Sequence, residues 1–303
     1  MFVRLVKSDL WIPANCSLNR NIMESTSLRN LSGLTLQQQI ETVFAIACQE
    51  STHQLETTLE QQGFRCEVLR QQPQPEFAQF SRSYCCLLNH CSAWERAAVA
   101  KGLTLIVEAD FVPVEGFGTL PLPFDPEQAD VGIAWLYTCA PQIYSVSEAG
   151  HAQGFSTSMV AYIVNPGSAR YLIELAAEIK QDPGPSAYSA WDSEVDAFLL
   201  KRKLKNYLPF RNYGEHGGGQ PNPEHRAFGL STTHRADVLY RKLAFPPPYA
   251  AYCWPPVVRL QARLKGIARL LMGRFVRIPI LKESSVPQRL LWFAVSRQLS
   301  FRL

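Results

Sequence analysis

Leu103-Thr-Leu-Ile-Val-Glu-Ala-Asp110 decides the fold. Five residues of strand-forming character run straight into two acids. A short continuous apolar run of this length reads as a buried strand rather than a surface one. Side chains alternate along a strand, so Glu108 and Asp110 project to one face and Ala109 to the other. Two carboxylates at the mouth of a buried strand are costly without a counter-charge. A hard divalent cation that also carries substrate phosphates is one solution. A helix cap or a loop ion pair is the other reading of paired acids there.

Upstream, Thr42-Val-Phe-Ala-Ile-Ala-Cys48 is a second buried strand, His53–Gln62 a helix stopped by Gly63, and Arg65–Leu69 a strand. Tyr84–Ala100 reads as a helix ended by Gly102. Downstream, Val131–Thr138 and Ser158–Val164 read as strands. Asn165-Pro166 opens a helix to about Gln181, because Asn caps and Pro at the first helical position lacks only an N–H that would be orphaned anyway. Strand–helix alternation predicts an α/β sandwich with a mostly parallel sheet. Its ligand site should lie beyond the carboxyl ends of the strands.

The 303 residues are 47% hydrophobic and 18% charged. That supports a sizeable core and excludes a disordered chain, a collagen-like repeat and a disulfide-stapled mini-protein. No apolar run is long enough to span a bilayer, and the start has no secretory signal pattern. The eight cysteines form no CxxC pair, and Cys85, Cys86 and Cys91 read as packing in a reducing, cytoplasmic protein. The net charge of +4 hides a split. Residues 250–303 hold ten basic side chains against Glu283 alone, so the remainder of the chain is acidic. Three segments follow: an extension over 1–38, a catalytic domain over 39–247, and a basic amphipathic tail over 248–303.

The stretches Cys85-Cys-Leu-Leu-Asn-His-Cys-Ser-Ala-Trp94 and Leu105-Ile-Val-Glu-Ala-Asp110 resemble glycosyltransferase family 25. That family includes lipopolysaccharide-extending galactosyltransferases and procollagen galactosyltransferases. Val160-Ala-Tyr-Ile-Val-Asn-Pro-Gly-Ser-Ala-Arg170 is similar to a further family segment, and Asp192 in Ala-Trp-Asp-Ser-Glu stands where the family has an Asp before a helix. The likeness covers roughly residues 40–215. Three departures stand out: Asn89 for Ser, Ala109 for the middle acid of a triplet, and Gln49–His53 without an Arg after the first strand. The resemblance implies a GT-A-like (Rossmann-like) fold, a nucleotide-sugar donor such as a UDP-sugar, and hexosyl transfer with inversion to a glycan or lipid-linked acceptor. A divalent metal, Mn²⁺ for preference, would be held by Asp110 with Glu108 alongside.

The chemistry also asks for a base at the acceptor hydroxyl. Asp192 is the candidate, with Glu194 as the alternative. A helix over this stretch to Lys205 would make Asp192 its N-cap instead, or as well. Tyr213-Gly-Glu-His-Gly-Gly-Gly219 reads either as a flexible connector or as a donor contact through Gly217 and His216, the latter also a late metal ligand. His90, on a helix among Cys and Leu, is a core histidine or, by the resemblance, a donor-site residue, and Glu108 joins that set. His225 and His234 read as loop surface. A GT-A-like scaffold without catalysis is the rival reading.

In the tail, Leu260, Leu264, Ile267, Leu271 and Phe275 fall on one helical stripe with Arg259, Arg263, Arg274 and Arg277 opposite. A basic amphipathic helix of this kind, with Leu290–Val295 beyond it, predicts residues 257–303 lying on the anionic inner face of a cell membrane. Packing of the stripe on the catalytic domain, with the arginines solvated, is the alternative. Stacking aromatics are too few for a nucleic-acid surface.

Overall fold

The computed structural model describes residues 34–218 and 235–300, and Leu34–Leu303 form one compact unit. Most of the extension expected over 1–38, together with His225 and His234, lies outside the described residues. Within its last positions Leu36 is already fully buried. It opens α1 (Leu36–Gln39), where Thr35 and Gln38 form a capping box.

Two strand–helix units follow. β1 (Ile40–Ala47) leads to α2 (His53–Gln61), which buries Leu55 and Leu59 one turn apart and is followed by Gly63 at φ +83°. β2 (Cys66–Arg70) leads to α3 (Arg82–Ala97), capped by the Ser81 hydroxyl, which accepts from the Tyr84 N–H at 3.1 Å. Then come β3 (Leu103–Glu108), β4 (Phe111–Pro113), β5 (Val131–Trp135), β6 (Gln142–Val146), β7 (Ala152–Phe155) and β8 (Ala161–Val164). α4 (Pro166–Gln181) begins as its sequence predicts. Asn165 accepts from the Ser168 N–H at 2.8 Å, and Ser168 Oγ accepts from the Asn165 N–H at 3.1 Å.

The helix expected from about Asp192 to Lys205 is instead a 3-10 turn (Trp191–Ser193), α5 (Val195–Lys201) and β9 (Lys205–Leu208). Lys203 takes a left-handed φ of +62°, which no helix interior accepts, and β9 then pairs with β5. β10 (Gly214–His216) pairs antiparallel with β4, and α6 (Pro255–Leu271), α7 (Ile278–Glu283) and α8 (Pro287–Leu299) close the chain.

The eight-stranded sheet has the order β2-β1-β3-β8-β5-β9-β7-β6. β8 and β7 are antiparallel to their neighbours and the other six strands run one way, so the sheet is mostly parallel. It is a mixed α/β sandwich, consistent with the GT-A-like expectation. Alternation sends Phe44, Ile46 and Ile106 to the face covered by α3, α4, α5 and α8. Val43, Leu105 and Val107 go to the face covered by α2 and the Phe111–Phe124 segment. β1, β2 and β3 all end at the same edge, where the loops carrying the acids emerge.

Candidate active site

The end of β3 is pinned to its neighbours by its own backbone. Glu108 N–H donates to Val160 O at 2.8 Å and Ala109 N–H to Ile46 O at 2.9 Å. The middle residue of the triplet thus fastens the turn to β1, and its small side chain is no obstacle. Asp110 follows in the turn. β4 then lies against β10 with His216 opposite Phe111, which sets His216 beside Asp110. His216 Nε2 lies 3.0 Å from Asp110 Oδ2. One ligand atom from each of Glu108, Asp110 and His216 falls within 4.8 Å of the others. The structure therefore brings His216, which the sequence singled out separately, to the Glu108–Asp110 pair.

Electrostatics follow from this geometry. Burial opposes the charge on His216, but the Asp110 carboxylate outweighs it and lifts the imidazole to about 9. Burial likewise works against ionised Asp110, and His216 with Arg235 overcomes it and holds the carboxyl below its usual range. Asp110 Oδ1 and His216 Nδ1 are buried without a hydrogen-bond partner among the described residues. Two unsatisfied polar atoms on adjacent side chains leave bonding capacity open for a further group. Two carboxylates and an imidazole that gives up its extra proton on binding would be hard-to-borderline donors, which suits Mg²⁺ or Mn²⁺.

His90 acts from behind. It is fully buried on α3. The Trp94 indole N–H donates to the Tyr162 hydroxyl at 2.8 Å, and that hydroxyl lies 2.9 Å from His90 Nδ1. The Glu108 carboxylate can only accept, so Oε1 at 3.2 Å calls for the proton on His90 Nε2, and Nδ1 of the neutral ring then accepts from the Tyr162 hydroxyl. His90 therefore orients Glu108 and does not itself meet a donor. In this tautomer Nε2 has no lone pair for a metal, although Cys86, His90 and Glu108 also come within 4.8 Å. Cys86 is exposed beside Glu108, so the reading of it as packing is corrected.

Gly217 is also corrected. Its N–H donates to Asp110 O at 2.8 Å, so the one backbone group that could meet a donor phosphate is engaged, and its carbonyl accepts from Tyr249 N–H at 3.1 Å. The glycines serve Asp110: a Cβ on Gly217 would sit 2.9 Å from Asp110 O, and one on Gly218 would overlap Asp110 Oδ2.

Asp192 emerges from the 3-10 turn. The Trp191 indole N–H donates to Ser83 O at 3.0 Å and the ring packs edge-on to His90 at 5.2 Å, which anchors the turn on α3. Burial and then the nearby Glu108 charge raise the Asp192 carboxyl to about 6, against the Ser193 N–H that steadies its anion. Asp192 is not a helix cap, since α5 starts after Glu194 and that cap makes no side-chain bond. Glu194 is exposed at the start of α5. Asp196, buried, is held by Tyr144 at 2.9 Å and Asn206 at 2.8 Å and belongs to the scaffold.

Sequence reasoning missed Arg70, Tyr162 and Arg235. Arg70, at the end of β2, donates to Glu50 O and Thr52 Oγ1, both at 2.9 Å, and so supplies a guanidinium to the loop after β1 that lacks its own. It lines a cleft of about 400 Å³ with Cys48, Gln49, Gln71 and Phe77. Arg235 donates to His216 O and Gly218 O, both at 2.9 Å. All three are single residues whose partners lie on other elements; only Tyr162 falls in a segment that the family resemblance covers, and its tie to His90 is not visible there.

No family model and no curated protein matches the sequence. Among solved structures, the chain is similar to a glycosyltransferase involved in the glycosylation of the major capsid of PBCV-1. The identity is 10% and the TM-score 0.36, over 55% of this chain and 81% of that one.

Proposed function

We propose that the chain transfers a hexose from a nucleotide-sugar to a glycan hydroxyl, with inversion and with a divalent cation at Glu108, Asp110 and His216. The convergence of these three side chains at one strand edge, with two buried polar atoms left unsatisfied, carries the reading. When bound, the cation supplies charge neutralisation for the departing diphosphate. Asp192 supplies the other half. Its carboxylate takes the acceptor hydroxyl proton as that oxygen attacks the anomeric carbon, while the bond to the diphosphate breaks on the opposite face. The elevated carboxyl keeps it basic enough to accept a proton and still ionised at neutral pH. Tyr162 and Trp94 lock His90, His90 orients Glu108, and Arg235 braces the backbone beside His216. The cleft at Arg70, also beyond the carboxyl ends of β1 and β2, is the place for the nucleoside.

Purified protein with Mn²⁺ and a panel of UDP-sugars tests this. Turnover of at least one sugar is expected, and Asp110→Asn should abolish it while leaving the circular dichroism spectrum unchanged. A folded Asp110→Asn protein with full turnover refutes the site. Tight sugar-nucleotide binding without turnover in the parent chain refutes catalysis.

A further inference from the structure

The last helices are inside out. On α6 the residues turned to the body are basic or small. Arg259 pairs with fully buried Glu215 at 2.6 Å, Arg263 donates to Ser300 O at 3.0 Å, and Arg269 to Ala140 O at 3.0 Å, while Ala262 and Gly266 are buried. On α8, Arg297 and Gln298 are buried and both donate to Asp237. The apolar stripe faces outward. Trp254 is 70% exposed, Leu260 58%, Leu264 57% and Leu271 81%, and on α8 Leu291, Val295 and Leu299 are exposed with Trp292 at 62%. Both readings of the tail are thereby revised, because most of the stripe does not pack on the body, and of the arginines expected opposite it Arg259 and Arg263 turn inward while Arg274 and Arg277 stay exposed. Phe275, expected on the stripe, lies beyond the end of α6 and is buried.

α6 and α8 lie side by side, since Arg263 of α6 donates to the Gln298 carbonyl of α8 and a Cβ on Gly266 would come 2.8 Å from Gln298 Oε1. The two packed helices therefore each carry outward leucines and a tryptophan at or next to their ends or faces, several large apolar side chains left to solvent on adjoining elements. Arg274, Arg277 and Lys282, just beyond α6, are exposed, and Glu283 is the single acid from residue 250 to 303. We infer that this face docks on an anionic lipid surface, with the leucines and both tryptophans seated in the interface and the three exposed cations over the headgroups. Exposed tryptophans beside cations are the side chains that settle at the boundary of a bilayer. A second copy on this face would bring two cationic rims together, which like-charge repulsion disfavours. No helix among the described residues is long and apolar enough to cross a membrane, so the contact is interfacial. The inference does not depend on the chemistry proposed above.

Co-sedimentation of the full chain with vesicles of phosphatidylcholine, alone or mixed with phosphatidylglycerol, tests it, with sedimentation velocity giving the oligomeric state. Binding is expected to the mixed vesicles and to weaken as salt rises. The variant L260S/L264S/W292S should bind at least 10-fold more weakly with an unchanged circular dichroism spectrum. R274A/R277A/K282A should lose the preference for the anionic vesicles. Three results overturn the inference: no vesicle binding by the parent chain, undiminished binding by the apolar triple variant, or a dimer that this variant dissociates while vesicles stay unbound. Turnover enters none of these readings, so failure here is separate from failure of the transferase assignment.

Discussion

Arg297→Met should destabilise the whole unit rather than release a tail. Arg297 is 1% exposed and donates to both oxygens of Asp237, one of them at 2.8 Å. Asp237 also accepts from Gln298 at 2.6 Å and from Asn212 of the body at 3.0 Å. Burial alone would raise the Asp237 carboxyl, but the Arg297 charge more than compensates and holds it below the usual range. Removing the guanidinium leaves an anion in a low-dielectric site with only neutral donors. Breaking a buried pair in this way costs about 3–5 kcal/mol. For a unit of this size each kcal/mol shifts Tm by roughly 2–4 °C, so the melting point should fall by about 6–20 °C. Asp237→Asn should cost a comparable amount, because it strands the guanidinium instead. In the double variant both charges are gone, so its loss should fall short of the sum of the singles by more than about 1 kcal/mol, well beyond the scatter of independent sites. Thermal melts and urea titrations of the three variants measure this. Singles that lose under about 1 kcal/mol each, or strictly additive losses, would refute the role of the pair. Deleting 257–303 removes Arg259 and Arg297, the ion-pair partners of Glu215 and Asp237, so outward-facing substitutions, not truncation, isolate the lipid contact.

Asp192→Asn should cut the transfer rate by at least about 10²-fold with donor affinity nearly unchanged, the scale of a lost general base. In the parent chain the working form of Asp192 is ionised, so the rate should rise as pH increases through about 6 and fall below it; a flat profile from pH 5 to 7 assigns the base elsewhere. Gly218→Ala should displace the Asp110 carboxyl and reduce turnover in a protein with an unaltered melting point, and normal turnover in that variant would place Asp110 outside the chemistry.

The elements carrying strong local signals were legible in the sequence. β3 declares itself through an unbroken apolar run, and α4 through an Asn cap, a Pro and a spaced apolar face, because these signals act over a few residues and do not depend on what lies across the sheet. Glu108 and Asp110 could be named as a pair from strand alternation, and His216 could be named only as a neighbour of glycines. Their meeting was settled by the pairing of β4 with β10, about a hundred residues apart, which no local pattern encodes. β6 and β7 were missed because partly polar strands at the sheet edge lack a clean period. The tail shows the limit most clearly. A period of 3.6 residues establishes that α6 has an apolar and a basic face, and the charge split establishes that its cations have acids to meet. Which face turns inward is decided by where those acids are. Glu215 and Asp237 are buried in the body, an unpaired buried carboxylate costs more than a solvated leucine, and so the arginines went in and the leucines stayed out.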